Sequence, residues 1–235
     1  MVSGKHVSVI IPAAGSGTRI GGGIAKQFIE LQGKPILAWT IRKFQLHPAV
    51  DSIVIAGSAD GIQAITTIVN DLHASKVEWI GLGGEYRQDS VWNALQQIDS
   101  KQNGIVLVHD AVRPFVSDTI IDRVLSATSE YGAALPAIRP KDTIKISEDG
   151  VFVGETVNRD NMRLVQTPQG FEVNLLLRAY VRTREANYKG TDDASLVERI
   201  GVKVTMVEGS YDNIKITTPE DLEIAACLAK TRITL

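Results

Sequence analysis

A glycine-rich loop with two nearby cations is the feature of this chain best suited to chemistry. It reads Pro-Ala-Ala-Gly-Ser-Gly-Thr-Arg from Pro12 to Arg19, directly after an apolar segment, and Lys26 follows Gly21-Gly22-Gly23. Small residues let consecutive backbone N–H groups form a concave nest that attracts anions, and Arg19 and Lys26 add full positive charges. The loop therefore predicts a polyphosphate site. An ordinary flexible turn between a strand and a helix is the alternative, although such turns seldom carry two cations.

Two familiar phosphate-binding motifs do not fit this loop. The dinucleotide motif G-x-G-x-x-G requires a third glycine where Ile20 stands. The P-loop requires its second glycine at the same position, and a Ser or Thr where Gln27 follows Lys26. The mismatch at Ile20 argues against an NAD-dependent oxidoreductase. The loop alone indicates phosphate binding without naming a reaction.

A second polar cluster, His109-Asp110-Ala111-Val112-Arg113-Pro114, follows an apolar segment that has no alternation. Asp110 is well placed to bind a sugar hydroxyl or a hydrated Mg²⁺. A helix-capping or loop carboxylate is the alternative for a single Asp. We expect His109 to be structural, because no nucleophile is paired with it.

Two further clusters of polar residues are candidates for binding a ligand. In Gly83-Gly84-Glu85-Tyr86-Arg87-Gln88-Asp89-Ser90 the small residues leave room for a planar base, with Glu85 and Ser90 at its edge. Simple helix capping by Asp89 or Ser90 is the alternative. Nearer the C-terminus, Asp212 and Lys215 place a carboxylate and an amine three residues apart.

The elements that must position these clusters alternate between strand and helix. The hydrophobic pattern predicts an α/β fold, a Rossmann-like domain with a mostly parallel twisted sheet and helices on both sides. Ligands of such sheets lie beyond the carboxyl ends of the strands, so the loops after Ile11, Ile80 and Val108 should share one cleft. Later strands are predicted near Val202–Val207 and Ile214–Ile216.

The alternation breaks between Lys141 and Arg159, where an Asp-Gly pair lies between two β-prone runs. The runs Thr143–Ile146 and Val151–Val153 around Asp149-Gly150 predict a hairpin, inserted as an extended arm at 139–160 of a single domain covering 1–235. Because isolated hairpins are only marginally stable, the arm needs a covering surface. A second subunit and its own domain are equally compatible with the pattern.

Composition limits the classes of protein. The chain has 235 residues, 44% hydrophobic and 22% charged, and a net charge of −2. These values indicate a globular protein and argue against a dedicated nucleic-acid or membrane-surface binder. Neither a signal peptide nor a membrane-spanning stretch is apparent, and the single cysteine, Cys227, is expected to be a small buried hydrophobe in a cytoplasmic protein.

Taken in order, the motifs resemble one family, the 2-C-methyl-D-erythritol 4-phosphate cytidylyltransferases. The resemblance extends nearly end to end. It is carried by Pro12-Ala13-Ala14-Gly15-x-Gly17-x-Arg19, Lys26-Gln27-Phe28, Gly83-Gly84-Glu85-x-Arg87-x-Asp89-Ser90, Val108-His109-Asp110-Ala111-x-Arg113-Pro114, Asp142-Thr143-Ile144-Lys145, Gln166-Thr167-Pro168-Gln169, Thr191-Asp192-Asp193-Ala194-Ser195 and Asp212-Asn213-Ile214-Lys215.

The resemblance implies an enzyme that uses CTP, a sugar-alcohol phosphate and Mg²⁺, and that forms a homodimer through exchanged β-arms. It implies that Arg19, Lys26 and Lys215 stabilise the reacting α-phosphate, while Arg159 reaches in from the partner's arm. Mg²⁺ would be held mainly by the triphosphate, with Asp110 and Asp212 in support. The nucleotide site would comprise Pro12, Ala13, Ala14, Gly15, Gly17, Gly84, Glu85, Arg87, Ser90, Asp110 and Ala111, and the acceptor site Arg113, Thr143, Lys145, Thr167, Thr191 and Asp212.

Two relatives of this family remain alternatives. Ribitol-5-phosphate cytidylyltransferases share several of the motifs, but they usually begin Leu-Ala-Gly-Gly where this chain has Pro12-Ala13-Ala14-Gly15, and they tend to lack the pair Asp192-Asp193. The other alternative is a catalytically inactive nucleotide-binding module. The presence of Arg19, Lys26 and Lys215 argues against it.

Overall fold

The central feature of the fold is a mixed sheet with helices on both faces. The computed structural model describes residues 4–15, 25–99 and 104–232, and within them eight strands form this sheet in the order β5-β4-β1-β6-β11-β7-β10, with β12 also paired to β7. Two short pairs, β2-β3 and β8-β9, lie apart from it. The strands are β1 (Val7–Ala13), β2 (Glu30–Leu31), β3 (Lys34–Pro35), β4 (Ser52–Gly57), β5 (Val77–Leu82), β6 (Ile105–Val108), β7 (Ala133–Ile138), β8 (Ile144–Ile146), β9 (Glu155–Val157), β10 (Leu164–Val165), β11 (Gln169–Glu172) and β12 (Thr205–Glu208).

The strand directions confirm the mostly parallel sheet. β1 pairs in parallel with β4 and β6, β4 with β5, and β12 with β7, whereas β10 and β11 run antiparallel to their neighbours. The described helices are α1 (Ile36–Leu46), α2 (Ile62–Asp71), α3 (Arg87–Leu95), α4 (Asp118–Tyr131), α5 (Val173–Glu185), α6 (Asp193–Arg199) and α7 (Pro219–Arg232).

Alternation along β1 divides the core between the two faces of the sheet. Val9 packs in a cluster with side chains of α1, α2 and α4, whereas Ile10 packs with those of α3, α5 and α6. Both side chains are fully buried. A central strand covered on both faces is apolar at nearly every position, and the one polar side chain of β1, Ser8, accepts a hydrogen bond from Ser52 Oγ at 2.9 Å.

Helix boundaries follow the local capping chemistry. The Ser117 hydroxyl accepts a hydrogen bond from Ile120 N at the start of α4, and Gly132, with φ of 83°, ends that helix in the left-handed region. At the start of α7, Thr218 Oγ1 accepts from Asp221 N at 3.4 Å and Pro219 is the first helical residue.

The parallel strands bring several loops to one edge of the sheet. β1, β4, β5 and β6 run in the same direction, so the segments that follow Ala13, Leu82 and Val108 emerge side by side. The expectation of a shared cleft after these strands rests on this geometry.

The inserted hairpin leaves the sheet after Ile138 and the chain returns to it at Leu164. Its ladder pairs Ile144 with Val157 and Ile146 with Glu155. Most of its side chains are exposed, among them Val151 and Phe152 at 75% and 76%. The hairpin therefore presents apolar residues to solvent in the single chain.

The hairpin's second strand was predicted wrongly. Val151–Val153 is not a strand, because the Asp149 carboxylate accepts hydrogen bonds from Val151 N at 2.8 Å and Phe152 N at 3.0 Å. These bonds extend the turn, and pairing resumes only at Glu155.

Two other sequence predictions were also wrong. Ile214–Ile216 is an irregular segment, not a strand, and Cys227 is exposed on α7. The strand predicted near Val202–Val207 begins later, at Thr205.

Within residues 4–15, 25–99 and 104–232, no helix is both long and apolar enough to cross a membrane.

Candidate active site

A pocket opens at the carboxyl edge of the sheet, where the predicted motifs meet. Its walls come from the loop after β1, the turn before α3, the loop after β6 and the irregular segment before α7. The lining residues are Pro12, Ala13, Ala14, Gly15, Lys26, Gln27, Gly84, Glu85, Tyr86, Arg87, Ser90, Asp110, Ala111, Val112 and Lys215. Residues far apart in sequence therefore share one cavity. Arg19 and Gly17, which the sequence also predicted to belong to the site, lie outside the described residues.

The start of the glycine-rich loop is fixed by Gln27. Its side-chain amide donates to the carbonyl oxygens of Ala13 at 2.7 Å and Gly15 at 3.2 Å, and the residue is 2% exposed. A short 3-10 turn at Lys26–Phe28 carries it. Gln27 thus places Lys26 next to the loop that it follows in sequence. The motif Lys26-Gln27-Phe28 was noted in the sequence, but nothing in it showed that the amide ties the loop down.

The turn before α3 leaves no room for side chains at its two glycines. A Cβ on Gly83 would lie 2.6 Å from Ala14 Cβ, and one on Gly84 would collide with Asp89 Cβ. Ser90 holds the turn, since its hydroxyl accepts from Gly84 N at 3.1 Å and donates to Tyr86 O at 3.2 Å. Asp89 caps the helix by accepting from Tyr86 N, as the alternative interpretation of that cluster predicted. Small atoms therefore form this wall, and Glu85 lies exposed at its rim.

Asp110 is the electrostatic centre of the pocket. Its Oδ1 lies 3.3 Å from Arg87 Nε, and its Oδ2 lies 3.2 Å from Arg113 Nε and 3.1 Å from Lys215 Nζ. Burial alone would raise the pKa of Asp110, but Arg87, Lys215 and Arg113 together hold it well below its usual range. Asp110 is consequently a permanent anion that gathers three cations at one wall.

His109 and Thr167 hold the loop that carries Asp110. The Thr167 hydroxyl accepts from Asp110 N at 3.1 Å and lies 3.2 Å from His109 Nδ1, while His109 Nε2 lies 3.0 Å from the carbonyl oxygen of Arg113. A carbonyl only accepts, so Nε2 carries the proton and Nδ1 accepts from Thr167. Burial lowers the pKa of His109 to about 4, which keeps the ring neutral. Its role is structural, in agreement with the sequence-based expectation.

Lys215 is held by contacts on an otherwise irregular segment. Asn213, fully buried, donates to Thr167 O at 2.9 Å, and its own carbonyl accepts from Arg113 Nη1 at 2.7 Å. Gln166 bonds to the same segment at Ser210 through both ends of its amide. These bonds replace the strand that the sequence predicted here. They explain why a lysine on a loop has a defined position at the pocket.

The remaining predicted residues divide into two groups. Arg113 and Thr167 adjoin the pocket through Asp110, and Asp212 lies three residues before Lys215. Thr143, Lys145 and Arg159 lie on the exposed hairpin, where Arg159 Nη1 donates to Lys141 O, and Thr191 is exposed before α6. None of these four residues lines the pocket.

Cations on a pocket walled by glycine and alanine suit an enzyme that transfers nucleotidyl groups between phosphates. Comparison with known proteins carries the assignment further. The family model "IspD: 2-C-methyl-D-erythritol 4-phosphate cytidylyltransferase" matches residues 7–230.

Relatives and solved structures agree with this match. A 2-C-methyl-D-erythritol 4-phosphate cytidylyltransferase of Clostridium botulinum (strain ATCC 19397 / Type A) is 46% identical over 92% of this chain and 93% of its own length. One from Bacillus mycoides (strain KBAB4) is 47% identical over 93% and 95%. The crystal structure of 4-diphosphocytidyl-2C-methyl-D-erythritol synthase from Anaerococcus prevotii DSM 20548 superposes with a TM-score of 0.86 at 32% identity, covering 97% of this chain and 98% of that one.

The chain belongs to the 2-C-methyl-D-erythritol 4-phosphate cytidylyltransferase family. It is a nucleotidyltransferase that transfers the cytidylyl group of CTP to 2-C-methyl-D-erythritol 4-phosphate, in isoprenoid biosynthesis. The resemblance drawn from the motifs is confirmed, and ribitol-5-phosphate transfer is not favoured.

Proposed function

We propose that Lys26 and Lys215, together with Arg19, bind the α-phosphate of CTP while a phosphate oxygen of the acceptor attacks it in line. The observation that carries this proposal is that Lys26 and Lys215 line the same pocket although they are 189 positions apart in the sequence. A phosphate dianion is already a nucleophile, so the main barrier is repulsion between two anions. Cations aimed at the α-phosphorus stabilise the charge that grows in the transition state, as pyrophosphate leaves.

The base of CTP is proposed to lie against Ala14, Gly84, Glu85 and Ser90. Support comes from the turn before α3, where Gly84 lines the pocket with backbone atoms alone. A pyrimidine fits where the backbone approaches closely, and Glu85 and Ser90 offer polar atoms to its edge. The remaining nucleotide contacts are assigned to Pro12, Ala13, Gly15, Gly17, Arg87, Asp110 and Ala111.

Magnesium is proposed to be held chiefly by the triphosphate. In the part of the chain that the structure describes, no group of three or more His, Cys, Asp or Glu side chains could hold a metal by itself. Asp110 lines the pocket with both of its oxygens accepting from cations, and Asp212 lies three residues before Lys215 in the sequence. This donor set fits Mg²⁺, which keeps several waters and binds few protein ligands. When bound, the ion would neutralise charge on the phosphate oxygens.

The hairpin at 139–160 is proposed to be a dimerisation arm that completes the acceptor site of a second subunit. Its apolar residues Ile146, Val151, Phe152 and Val153 are all exposed in the single chain and need a covering surface. Arg159 would then orient the acceptor phosphate, with Thr143 and Lys145 nearby on the arm. Arg113 and Thr191 would contact the same phosphate from the subunit that supplies the pocket, and Thr167, whose hydroxyl donates to His109 Nδ1, would support the loop beside them. We place the enzyme in the cytoplasm with its nucleotide substrate.

The direct test of the proposed phosphate contacts is pyrophosphate release from CTP and 2-C-methyl-D-erythritol 4-phosphate. Lys26→Ala should reduce turnover by about a hundredfold or more, because one charged contact to the transition state is lost. Lys230→Ala, which changes an exposed lysine on α7, serves as the matched control and should retain full turnover. Equal turnover in the two variants would contradict the proposal.

A mixing experiment tests the arm. Arg159→Ala should impair turnover by itself, and mixed with Lys26→Ala it should regain part of the activity, since one of the two shared sites in each heterodimer is intact. Absence of any recovery, in mixtures shown by native mass spectrometry to contain heterodimers, would contradict arm exchange.

A further inference from the structure

A chain of polar contacts runs from the buried Tyr180 and Asp193 through the partly exposed Arg87 to Asp110 at the pocket. Tyr180 Oη donates to Asp193 Oδ1 at 2.6 Å, and Arg87 Nη1 donates to Asp193 Oδ2 at 2.7 Å. The Nε of the same guanidinium lies 3.3 Å from Asp110 Oδ1. Three residues from α5, α6 and α3 therefore connect the helical layer to the wall of the pocket.

The two adjacent aspartates before and within α6 have different roles. Asp192 caps the helix by accepting from Ser195 N at 2.9 Å, and it also accepts from the side chain of Gln169. Asp193 makes no such cap, and its side chain is 1% exposed with one oxygen on Tyr180 and the other on Arg87. A carboxylate buried this deeply is tolerated only with its partners in place. The role of Asp193 is therefore to pair with Arg87.

Tyr180 is held in place by contacts of both its ring and its hydroxyl. Its side chain is fully buried, and its ring stacks on Trp92 of α3 with the centroids 5.8 Å apart. Burial and the adjacent Asp193 raise the pKa of Tyr180 well above its usual value, so the hydroxyl is always a donor. The ring and the hydroxyl together fix the distance between α5 and the helix that carries Arg87.

We propose that Tyr180 and Asp193 are positioning residues for cytidylyl transfer: they lock the Arg87 guanidinium, which holds Asp110 and, through it, the Lys215 ammonium at the pocket wall. Lys215 is on an irregular segment, and the ion pair with Asp110 at 3.1 Å fixes its charged end. Only a planar fork can bridge both carboxylates, which is why the linking residue is an arginine. A displaced Asp110 would leave Lys215 free to rotate away from the phosphate.

The inference rests on the proposed function, and one measurement separates their failures. If Lys215→Ala turns over normally, the proposed phosphate contacts fail. If Lys215→Ala is inactive but the Tyr180 and Asp193 variants turn over normally, only the positioning role fails.

The experiment is a double-mutant cycle on steady-state kinetics with CTP as the varied substrate. Tyr180→Phe keeps the ring and removes the hydroxyl, and should lower kcat about tenfold while KM for CTP changes less than about threefold. Asp193→Asn should have a similar or larger effect on kcat. Arg87→Gln should lower kcat about a hundredfold, and in that background Tyr180→Phe should add less than about a twofold loss, because the link through which it acts is already cut.

Two further variants keep the result independent of folding. Thr183→Val removes another buried hydroxyl from α5, one that donates only to carbonyls of its own helix, and should lower the Tm without changing kcat. Arg87→Lys keeps the charge but cannot bridge both carboxylates, and should stay far below the parent activity. The positioning role is overturned if Tyr180→Phe and Thr183→Val both leave kcat unchanged, if the losses of Tyr180→Phe and Arg87→Gln multiply in full, or if Arg87→Lys restores activity.

Discussion

The wall of the pocket around Asp110 and the hairpin at 139–160 differ in how completely one chain supplies their partners. Around Asp110, three cations, a threonine hydroxyl and buried amides satisfy one another within the same chain. On the hairpin, Val151 and Phe152 are about three-quarters exposed, at 75% and 76%. Bonds within the chain satisfy the polar groups of the first region, whereas we propose that a second copy of the chain covers the apolar side chains of the hairpin. Mutations should therefore act on stability in the first region and on assembly in the second.

The largest effect should come from Asp110→Ala. This variant leaves three cations around a missing anion, so the free energy of unfolding should fall by roughly 3 kcal/mol and turnover by a hundredfold or more. Urea unfolding and pyrophosphate release measure the two effects. A variant that loses activity while keeping full stability would show that Asp110 does not organise the wall of the pocket.

The second prediction concerns the effect of His109 on how stability depends on pH. Its pKa is about 4 in the folded chain and about 6.5 in an unfolded one, so the unfolded state binds more protons between these values. The contribution of His109 to stability should be constant above about pH 6.5 and should fall as the pH drops from 6.5 towards 4, by up to about 3 kcal/mol. Denaturant titrations from pH 7.5 to 4.5 would detect this, and His109→Gln should flatten the slope. An equal slope in both proteins would contradict a neutral buried ring.

The third prediction addresses the glycine turn beside the pocket. In Gly84→Ala the new Cβ collides with Asp89 Cβ, so the start of α3 must shift. KM for CTP should rise about tenfold, with a stability loss of about 1–3 kcal/mol. Gly150→Ala on the hairpin, where φ is 72° but a Cβ meets nothing within 4 Å, is the control, since it introduces strain outside the pocket. Its KM for CTP should not change.

The smallest effect on the isolated chain should come from Phe152→Ser. Because the side chain is 76% exposed, the free energy of unfolding per chain should change by less than about 0.5 kcal/mol. The dimer dissociation constant should nevertheless rise about tenfold in analytical ultracentrifugation, since an apolar contact between copies is lost. Leu46→Ser, at another exposed apolar site on α1, should leave the dissociation constant unchanged. If both variants behave alike, the hairpin is not the interface.

Sequence patterns predicted the fold well where long apolar runs define an element. The apolar segment without alternation that precedes His109, for example, forms β6 at Ile105–Val108 and is buried at every position. Two-residue strands such as β2 and β10 were not predicted, because their pairing depends on tertiary position and not on periodicity. The segment at Ile214–Ile216 has strand-like residues, yet Asn213 and Gln166 fix it as a loop through bonds to distant residues.

Only part of the candidate site could be predicted from the sequence. Motif spacing identified Lys26, Asp110 and Lys215, which the structure brings together at one pocket. The roles of Gln27, Asn213 and Tyr180 depend on partners up to 100 residues away and carried no distinguishing local signal. The pair Asp192-Asp193 was noted as a motif, but only the geometry separates a helix cap from the partner of Arg87.

The central claim is that Lys215, held by Asp110, stabilises the reacting phosphate of CTP. The most direct measurement is single-turnover pyrophosphate release by Lys215→Ala with saturating CTP and 2-C-methyl-D-erythritol 4-phosphate, beside the control Lys230→Ala. We predict a rate at least about a hundredfold below the control, with CTP affinity changed only a few-fold. A Lys215→Ala rate equal to that of the control would contradict the account.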